Sequence, residues 1–204
     1  MPSLGPRVEP IIEAEPIRLG RADHGRPVSH AEFASASYDE PWKYERVDGR
    51  LSVLSPDGKN HVRTTVPWSI RLGAYMLAHL DYVQAVVSNA WVLVDGENER
   101  IADLAVYLNG RLDDIDIPHQ APDLLFEFVS PSSTDRRRDY VEKRTHYERA
   151  GVREYVIVDR FDRKVTVLTL GPGGYAERVI PADGTYDFPL LPGFALPLAD
   201  TWPN

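Results

Sequence analysis

Two strand-like runs on either side of a charged segment constrain this chain most. The first run, LLFEFV at 124–129, is apolar almost without a break, which is typical of a strand covered on both faces. The second run is REYVIVD at 153–159. The charged residues between them suit a helix, so the pattern over 123–159 predicts a β-α-β unit.

Glu127 is the exception within the first run. A carboxylate on a doubly covered strand costs several kcal/mol unless it meets a cation, a metal or several hydrogen-bond donors. Asp103 is a second acid of this kind, inside the apolar run RIADLAVYL. If the two strands pair, Asp103 and Glu127 lie side by side.

This pair of acids predicts a site for a hard divalent cation. Two close carboxylates repel each other, and Mg²⁺ or Mn²⁺ relieves the repulsion because it binds carboxylate, water and phosphate oxygens. The alternative is that each acid forms a salt bridge with an arginine or caps a loop.

The charged segment supplies a candidate cation for the same site. Asp139, Lys143 and Tyr147 follow one another at four-residue steps and therefore form one stripe of a helix. If that stripe faces Glu127, the Lys143 ammonium reaches the acids. The alternative is that Lys143 pairs with Asp139 on a solvated face.

Other candidate residues come from three places in the chain. Arg136, Arg137 and Arg138 either clamp phosphates or form the solvated start of a helix. His61 either acts as a ligand of the site or positions water, or else caps a helix. Glu45 lies in an alternating run and is expected to point inward.

Composition limits the class of protein. At 204 residues, with 43% hydrophobic residues, the chain is long enough for one substantial core. No apolar run approaches the roughly 20 residues that span a bilayer, and no signal-peptide pattern opens the chain. We therefore expect a soluble, intracellular, cytoplasmic protein with no membrane partner.

Cysteine content and charge exclude further classes. With zero cysteines, disulfides, thiolate metal sites and cysteine nucleophiles are excluded. A net charge of −8 argues against indiscriminate binding along nucleic acid, because such binding depends on neutralising phosphates. A local basic patch remains compatible with it.

The remaining pattern predicts an arm and one domain. Residues 1–28 mix Pro, Gly and alternating charges, which indicates an extended or disordered N-terminal arm, and residues 29–204 form a single domain. Ser29 and Glu32 form a capping box for a short helix. Asp48-Gly49 predicts a β-hairpin, and the residues beyond Asp159 read as a second hairpin and a terminal strap.

A longer helix is expected from His61 to Leu80. Its apolar residues recur at nearly helical spacing; they are Val62, Val66, Leu72, Met76 and Leu80. Pro67 lacks a backbone donor, so the helix should kink there or effectively begin near it.

Four stretches together resemble the Uma-two family of bacterial restriction-endonuclease-like proteins. They are YERVDGRLSVLSP with His61 after it, ADLAVY, LLFEFVSPSSTDRRRDYVEKRTHYERAGVREYVIVD and LLPGFALPLADTW. The resemblance runs from about residue 29 to the C-terminus. It implies an α/β (α+β) fold of the PD-(D/E)XK nuclease superfamily, with a mixed central β-sheet flanked by helices, an N-terminal β-hairpin and a C-terminal β extension.

The resemblance also implies roles for individual residues. Asp103 stands at the strand aspartate of the motif, Glu127 at its (D/E) position, and Glu45 at an additional upstream acid. The sequence departs from the motif twice, with Ala102 in place of the proline and Val129 in place of the lysine. In similar sequences the lysine has moved to the following helix, where Lys143 is the matching position.

The implied function is a metal-dependent DNA endonuclease. Asp103 and Glu127 bind Mg²⁺ (or Mn²⁺), and Lys143 positions the attacking water or stabilises the transition state. The arginines at 136–138 contact flanking phosphates. Double-stranded DNA is the implied substrate, and cutting both strands favours a homodimer.

Two other functions stay open. A catalytically silent protein with the nuclease fold would act as a nucleic-acid or protein binding module, and the acidic charge and Val129 favour this alternative. A different metal-dependent hydrolase on a similar site is the third possibility.

Overall fold

The computed structural model describes residues 16–110 and 120–202. Its helices are α1 (His30–Ser35), α2 (Lys59–Ala78), α3 (Ser133–Arg137) and α4 (Lys143–Arg149). Its strands are β1 (Arg18–Leu19), β2 (Ser37–Tyr38), β3 (Lys43–Val47), β4 (Arg50–Leu54), β5 (Val83–Asp95), β6 (Asn98–Leu108), β7 (Leu124–Phe128), β8 (Glu154–Asp159), β9 (Lys164–Gly171), β10 (Gly174–Pro181), β11 (Thr185–Asp187) and β12 (Ala195–Pro197).

A mixed sheet dominates the described residues and confirms the predicted fold class. Its strand order is β10-β9-β8-β7-β6-β3-β4, and β5 also pairs with β6. β7 and β8 are parallel, whereas the other neighbours are antiparallel. The predicted β-α-β unit is therefore present, with β7 and β8 as its strands.

The helical run between β7 and β8 is continuous but not uniform. A π-helical turn, Arg138–Glu142, joins α3 to α4. Such a turn inserts an extra residue into the helix and is frequent at functional sites. Asp139, Lys143 and Tyr147 are all buried, so the predicted stripe faces the sheet.

Local turn and capping chemistry matches the sequence. Asp48 and Gly49 both have positive φ angles, 50° and 69°, as a two-residue hairpin turn requires. They join β3 to β4, which confirms the predicted hairpin. The side chain of Ser29 accepts a hydrogen bond from the Glu32 amide, which confirms the capping box of α1.

Helix α2 differs from its prediction in where it begins and in which face it buries. It begins at Lys59 and continues through Pro67, so the proline does not mark its start. The buried residues are His61, Thr64, Trp68 and Leu72. Val62 and Val66 are 48% and 43% exposed, because the helix packs on the core through the stripe that carries Trp68 and Leu72. Within the described ranges, no helix is both long and apolar enough to cross a membrane.

The predicted N-terminal arm is only partly described. Residues 1–15 lie outside the described residues, so the arm and its boundary at residue 28 stay a prediction. In the rest of this segment Leu19 and Val28 are buried beside Phe33 and Tyr44. Residues 16–28 therefore pack on the domain through their apolar side chains.

Candidate active site

A cavity of about 970 Å³ opens at one end of the central sheet. Strand β6 places Asp103 in its wall and strand β7 places Glu127 there, while α4 contributes Lys143 and α2 contributes His61. The β6–β7 register pairs Leu104 with Phe126, which puts Asp103 opposite Glu127 at the next position. With Arg138, which also lines it, the structure brings five of the predicted site residues to one cavity.

Lys143 and Glu127 form a buried ion pair in the wall of this cavity. The Lys143 Nζ atom lies 2.7 Å from Glu127 Oε1, and it also donates to the carbonyl oxygen of Ile101 at 2.8 Å. The Tyr147 hydroxyl donates to the same Glu127 oxygen at 2.8 Å. The Lys143 ammonium therefore contacts Glu127 from α4. Val129, at the lysine position of the motif, has no charged group that could make this contact.

Glu45 lies behind this contact and is fully buried. Its Oε2 atom accepts a hydrogen bond from Arg100 at 2.8 Å, and its Oε1 atom accepts one from the Ile101 amide at 3.0 Å. Lys143 Nζ lies 3.2 Å from Glu45 Oε1. Glu45 points inward as expected, and it helps to hold Lys143 without lining the cavity itself.

Asp103 belongs to a second group of charges on the opposite side of Glu127. This group consists of Asp103, His61, Lys43 and Asp57. The Asp103 Oδ2 atom accepts a hydrogen bond from the Phe128 amide at 2.9 Å, and its Oδ1 atom lies 3.3 Å from His61 Nε2. Lys43 Nζ lies 3.6 Å from the same Oδ1 atom and donates to both oxygens of Asp57 at 2.8 and 2.7 Å.

Burial and neighbouring charges shift the ionisation of these groups in opposite directions. Burial would raise the pKa of Asp103, but the His61 hydrogen bond and the positive charges of His61 and Lys43 lower it to about 2. Burial raises the pKa of Glu127, and the Asp103 and Asp139 charges add to this although Lys143 opposes it. Two neighbouring carboxyls with separated pKa values are typical of acid–base and metal sites.

Neighbouring carboxylates outweigh the effect of burial on the pKa values of Lys143 and His61. Burial lowers the pKa of Lys143, but the charges of Glu127 and Glu45 outweigh this effect and raise it. Burial also lowers the pKa of His61, and the hydrogen bond and charge of Asp103 raise it overall. Each cation is thus stabilised by the carboxylate it contacts.

A donor set suitable for a metal ion lies on the Asp103 side of the cavity. Ligand atoms of Asp57, His61 and Asp103 all lie within 4.8 Å of one another. Glu127 does not belong to this set, since its Oε1 atom accepts hydrogen bonds from Lys143 and Tyr147. The joint role of Asp103 and Glu127 as metal ligands stays a prediction.

The three predicted phosphate contacts already have acidic neighbours. Arg136 donates to Asp159 and Asp162 at 2.6 Å each, and Arg137 lies 3.5 Å from Glu142. Only Arg138 among the three lines the cavity, where it pairs with acids of its own helical run. Their contact with phosphates stays a prediction.

Sequence reasoning missed several residues of the site. Asp57 and Lys43 enter it from the loop before α2 and from the first position of β3. Neither carries a local signal, because a surface aspartate before a glycine and a lysine at a strand end are common in any protein. Tyr147 did have a signal, since it lies on the same helical stripe as Lys143.

The sequence of this chain matches the model of a known protein family. The sequence model of the Uma2 family, described as "Putative restriction endonuclease", matches residues 31–199. The chain belongs to the Uma2 family. This confirms the resemblance seen in the sequence, and the described function of the family is that of a nuclease. No curated protein matches the sequence.

A solved structure with the same fold is similar to this Uma2 chain. It is the crystal structure of a putative nuclease belonging to DUF820 from Anabaena variabilis ATCC 29413. The TM-score is 0.71 at 16% sequence identity, and the match covers 86% of this chain and 98% of that chain. At this identity the likeness shows the fold.

Proposed function

We propose that this Uma2 chain is a metal-dependent endonuclease that hydrolyses phosphodiester bonds of double-stranded DNA. The observation that carries the proposal is the 2.7 Å contact between Lys143 Nζ and Glu127 Oε1 in a cavity that Asp103 also lines. A strand aspartate, a strand glutamate and an ammonium in one cavity are the groups that the nuclease motif requires. The family description supports a nuclease, and the metal and the DNA substrate are parts of the proposal.

The donor chemistry fits a divalent cation. Asp103 has two candidate partners for binding such a cation. One is Glu127 on β7, and the other is the pair Asp57 and His61 at the start of α2. Carboxylate oxygens suit Mg²⁺ and Mn²⁺, whereas an imidazole nitrogen suits Mn²⁺ better than Mg²⁺. When bound, such a cation neutralises phosphate charge and lowers the pKa of water.

The protein's own residues supply orientation and charge. Lys143 is held by Glu127, Glu45 and the Ile101 carbonyl, so its ammonium is fixed before substrate arrives. A fixed cation stabilises the negative charge that develops on a phosphoryl group in the transition state. Tyr147 limits the rotation of Glu127 by donating to the same oxygen as Lys143.

A plasmid-cleavage assay tests the function. Supercoiled DNA is incubated with the protein and Mg²⁺ or Mn²⁺, and EDTA should stop nicking and linearisation. Asp103→Ala and Glu127→Gln should each abolish cleavage. Asp183→Asn is the matched control, because Asp183 is an exposed acid outside the cavity. Retained cleavage in either site variant contradicts the assignment.

A second function is favoured by the charge balance of the cavity. Among the described residues, Glu127 already contacts Lys143, Asp103 contacts His61 and Lys43, and Glu45 contacts Arg100. Such a network is compatible with a binding module that does no chemistry. DNA binding by the wild-type protein without cleavage under any divalent metal would favour this function.

A homodimer is part of the proposal for double-strand cleavage. Exposed apolar side chains on α2 supply a surface for self-association; they are Val62, Val66, Ile70 and Leu77. Isolated exposed apolar residues are common, but a row along one helix is typical of a contact surface. Light scattering across a concentration series measures the association directly.

A further inference from the structure

Arg160 is a cation of the cavity that forms no salt bridge with a carboxylate of the described residues. It follows the last residue of β8 and lines the cavity beside Ser130 and Pro131. Its Nη1 atom is buried and has no hydrogen-bond partner among the described residues. A buried donor without a partner costs about 1–3 kcal/mol, and more for a charged group, so its retention indicates a missing partner.

The neighbouring acid is already occupied. Asp159 Oδ2 accepts hydrogen bonds from Arg136 and from Tyr140 at 2.6 and 3.0 Å, and its Oδ1 atom accepts from two backbone amides at 3.0 and 3.1 Å. Arg160 is therefore attracted to Asp159 but makes no hydrogen bond to it. The Phe161 ring lies 4.4 Å from the guanidinium carbon and holds that group in place.

The other buried or half-buried cations that line the cavity differ from Arg160. Each has an acidic partner: Lys43 has Asp57, Arg100 has Glu45, Arg138 has Asp135 and Lys143 has Glu127. Lys59 also lines the cavity but is exposed to solvent. Among the described residues, Arg160 is thus the half-buried cation of the cavity without an acidic partner, and its charge is left for a ligand.

The position of Arg160 is suited to a phosphate next to the reacting one. The parallel pairing ends with Phe128 opposite Val158, and Arg160 follows Ile157, the partner of Glu127, by three residues. Three residues of strand correspond to about 10 Å. The long arginine side chain covers part of this span, so a phosphate bound by the guanidinium would flank one held at the acids.

We propose that Arg160 binds a backbone phosphate that flanks the scissile bond, on the same nucleic-acid strand. This assignment rests on the proposed nuclease function. It places the phosphate contact on Arg160, because the arginines at 136–138 already have acidic neighbours. A guanidinium binds a phosphate with two parallel hydrogen bonds, which would satisfy the buried Nη1 atom. The contact positions the strand and does not read its sequence.

The experiment compares Arg160→Gln with Arg163→Gln. Arg163 lies in the same turn, is exposed and does not line the cavity, so both variants lose one positive charge at nearly the same place. Binding of a fluorescein-labelled DNA duplex, and of single-stranded RNA as a second probe, is measured by anisotropy in EDTA over a series of NaCl concentrations. EDTA prevents cleavage and separates binding from catalysis.

Arg160→Gln should weaken binding about tenfold, as expected for loss of a hydrogen-bonded charge. It should also reduce the slope of log K against log salt by about 0.9 for duplex DNA or about 0.7 for a single strand, because one phosphate contact is lost. Arg163→Gln should leave the affinity close to that of the wild type. Arg160→Lys keeps the charge and should retain the salt slope while it loses affinity, since an ammonium does not bind a phosphate bidentately.

Equal affinities and slopes for the Arg160→Gln and Arg163→Gln variants would overturn the assignment, even if the wild-type protein cleaves DNA. If the wild-type protein binds neither probe and cleaves nothing, the proposed function fails and the assignment fails with it. Binding and cleavage measured on the wild-type protein distinguish the two failures. Circular dichroism of each variant confirms that the fold is retained, and Arg160→Lys provides the same test if Arg160→Gln does not fold.

Discussion

Lys143 Nζ and Glu127 Oε1 lie 2.7 Å apart, although one residue is on α4 and the other on β7. Both side chains are almost completely buried. Val129, which stands at the lysine position of the motif, has no charged group, and the proposal is that Lys143 takes over that role. The helix thus delivers to Glu127 the cation that the strand lacks.

Lys143→Met should destabilise the fold and abolish cleavage. Removing one partner of a buried ion pair costs about 3–5 kcal/mol, because the remaining charge loses its compensation. Urea unfolding measures the loss, and the plasmid assay measures cleavage.

The double variant Lys143→Met/Glu127→Gln separates structure from chemistry. It should be more stable than Lys143→Met alone, because no unpaired carboxylate remains at position 127, but it should stay inactive. A double variant that is less stable than the single one would show that Lys143 does not compensate Glu127.

Tyr147→Phe should slow cleavage while the fold is retained. The phenol donates to Glu127 Oε1 at 2.8 Å, so its loss leaves Lys143 as the remaining side-chain donor to that oxygen among the described residues. The expected loss of stability is about 1–3 kcal/mol, because a buried oxygen loses one of its two side-chain donors. Tyr175→Phe is the control, because that hydroxyl donates to the Val152 carbonyl away from the cavity and its loss should leave cleavage unchanged.

The sequence predicts the strands of the site better than its helices. An acid in a doubly apolar run is conspicuous, so Asp103 and Glu127 could be found from pattern alone. The buried face of helix α2 is harder to predict, because Trp68 and Val66 are both apolar and only packing against the sheet decides which of the two is buried. Asp57 and Lys43 meet Asp103 through contacts between distant parts of the chain, and no local pattern encodes such contacts.

The burial of α2 gives a stability prediction. Trp68 is fully buried, with its ring 5.6 Å from Phe126 and 5.3 Å from Tyr186, so Trp68→Ala should cost about 3–5 kcal/mol. Val66→Ala should change stability by less than about 0.5 kcal/mol, because Val66 is exposed. Chemical denaturation of both variants checks the contrast, and similar losses would mean that the helix buries the face predicted from its apolar spacing.

Metal preference tests the Asp57–His61–Asp103 set. An imidazole ligand suits Mn²⁺ better than Mg²⁺, so His61→Ala should weaken Mn²⁺ binding by about tenfold or more and Mg²⁺ binding by less. Electron paramagnetic resonance of free Mn²⁺ and calorimetry with Mg²⁺ measure the two affinities. Unchanged affinities for both ions would place the metal on the carboxylates alone, with Glu127 as the partner of Asp103.

Glu154 makes stability depend on pH at a place far from the chemistry. Burial raises its pKa from the ordinary 4.5 to about 7, although the Arg178 charge and a 3.4 Å hydrogen bond from Tyr186 oppose this. Its Oε2 atom is buried and has no partner among the described residues. The folded protein therefore holds a proton at Glu154 more tightly than the unfolded chain does.

The sign of the pH effect follows from this difference in proton binding. Between about pH 4.5 and pH 7 the folded state keeps the proton that the unfolded chain releases, so the contribution of Glu154 to stability falls as pH rises and is constant above that window. Glu154→Gln is a neutral isostere of the protonated acid and should abolish the fall, which amounts to ~3 kcal/mol at about 1.4 kcal/mol per pKa unit. Urea unfolding of both proteins at pH 5 and pH 8 measures it. A stability difference between variant and wild type that is the same at both pH values would show that Glu154 is ionised in the folded protein throughout.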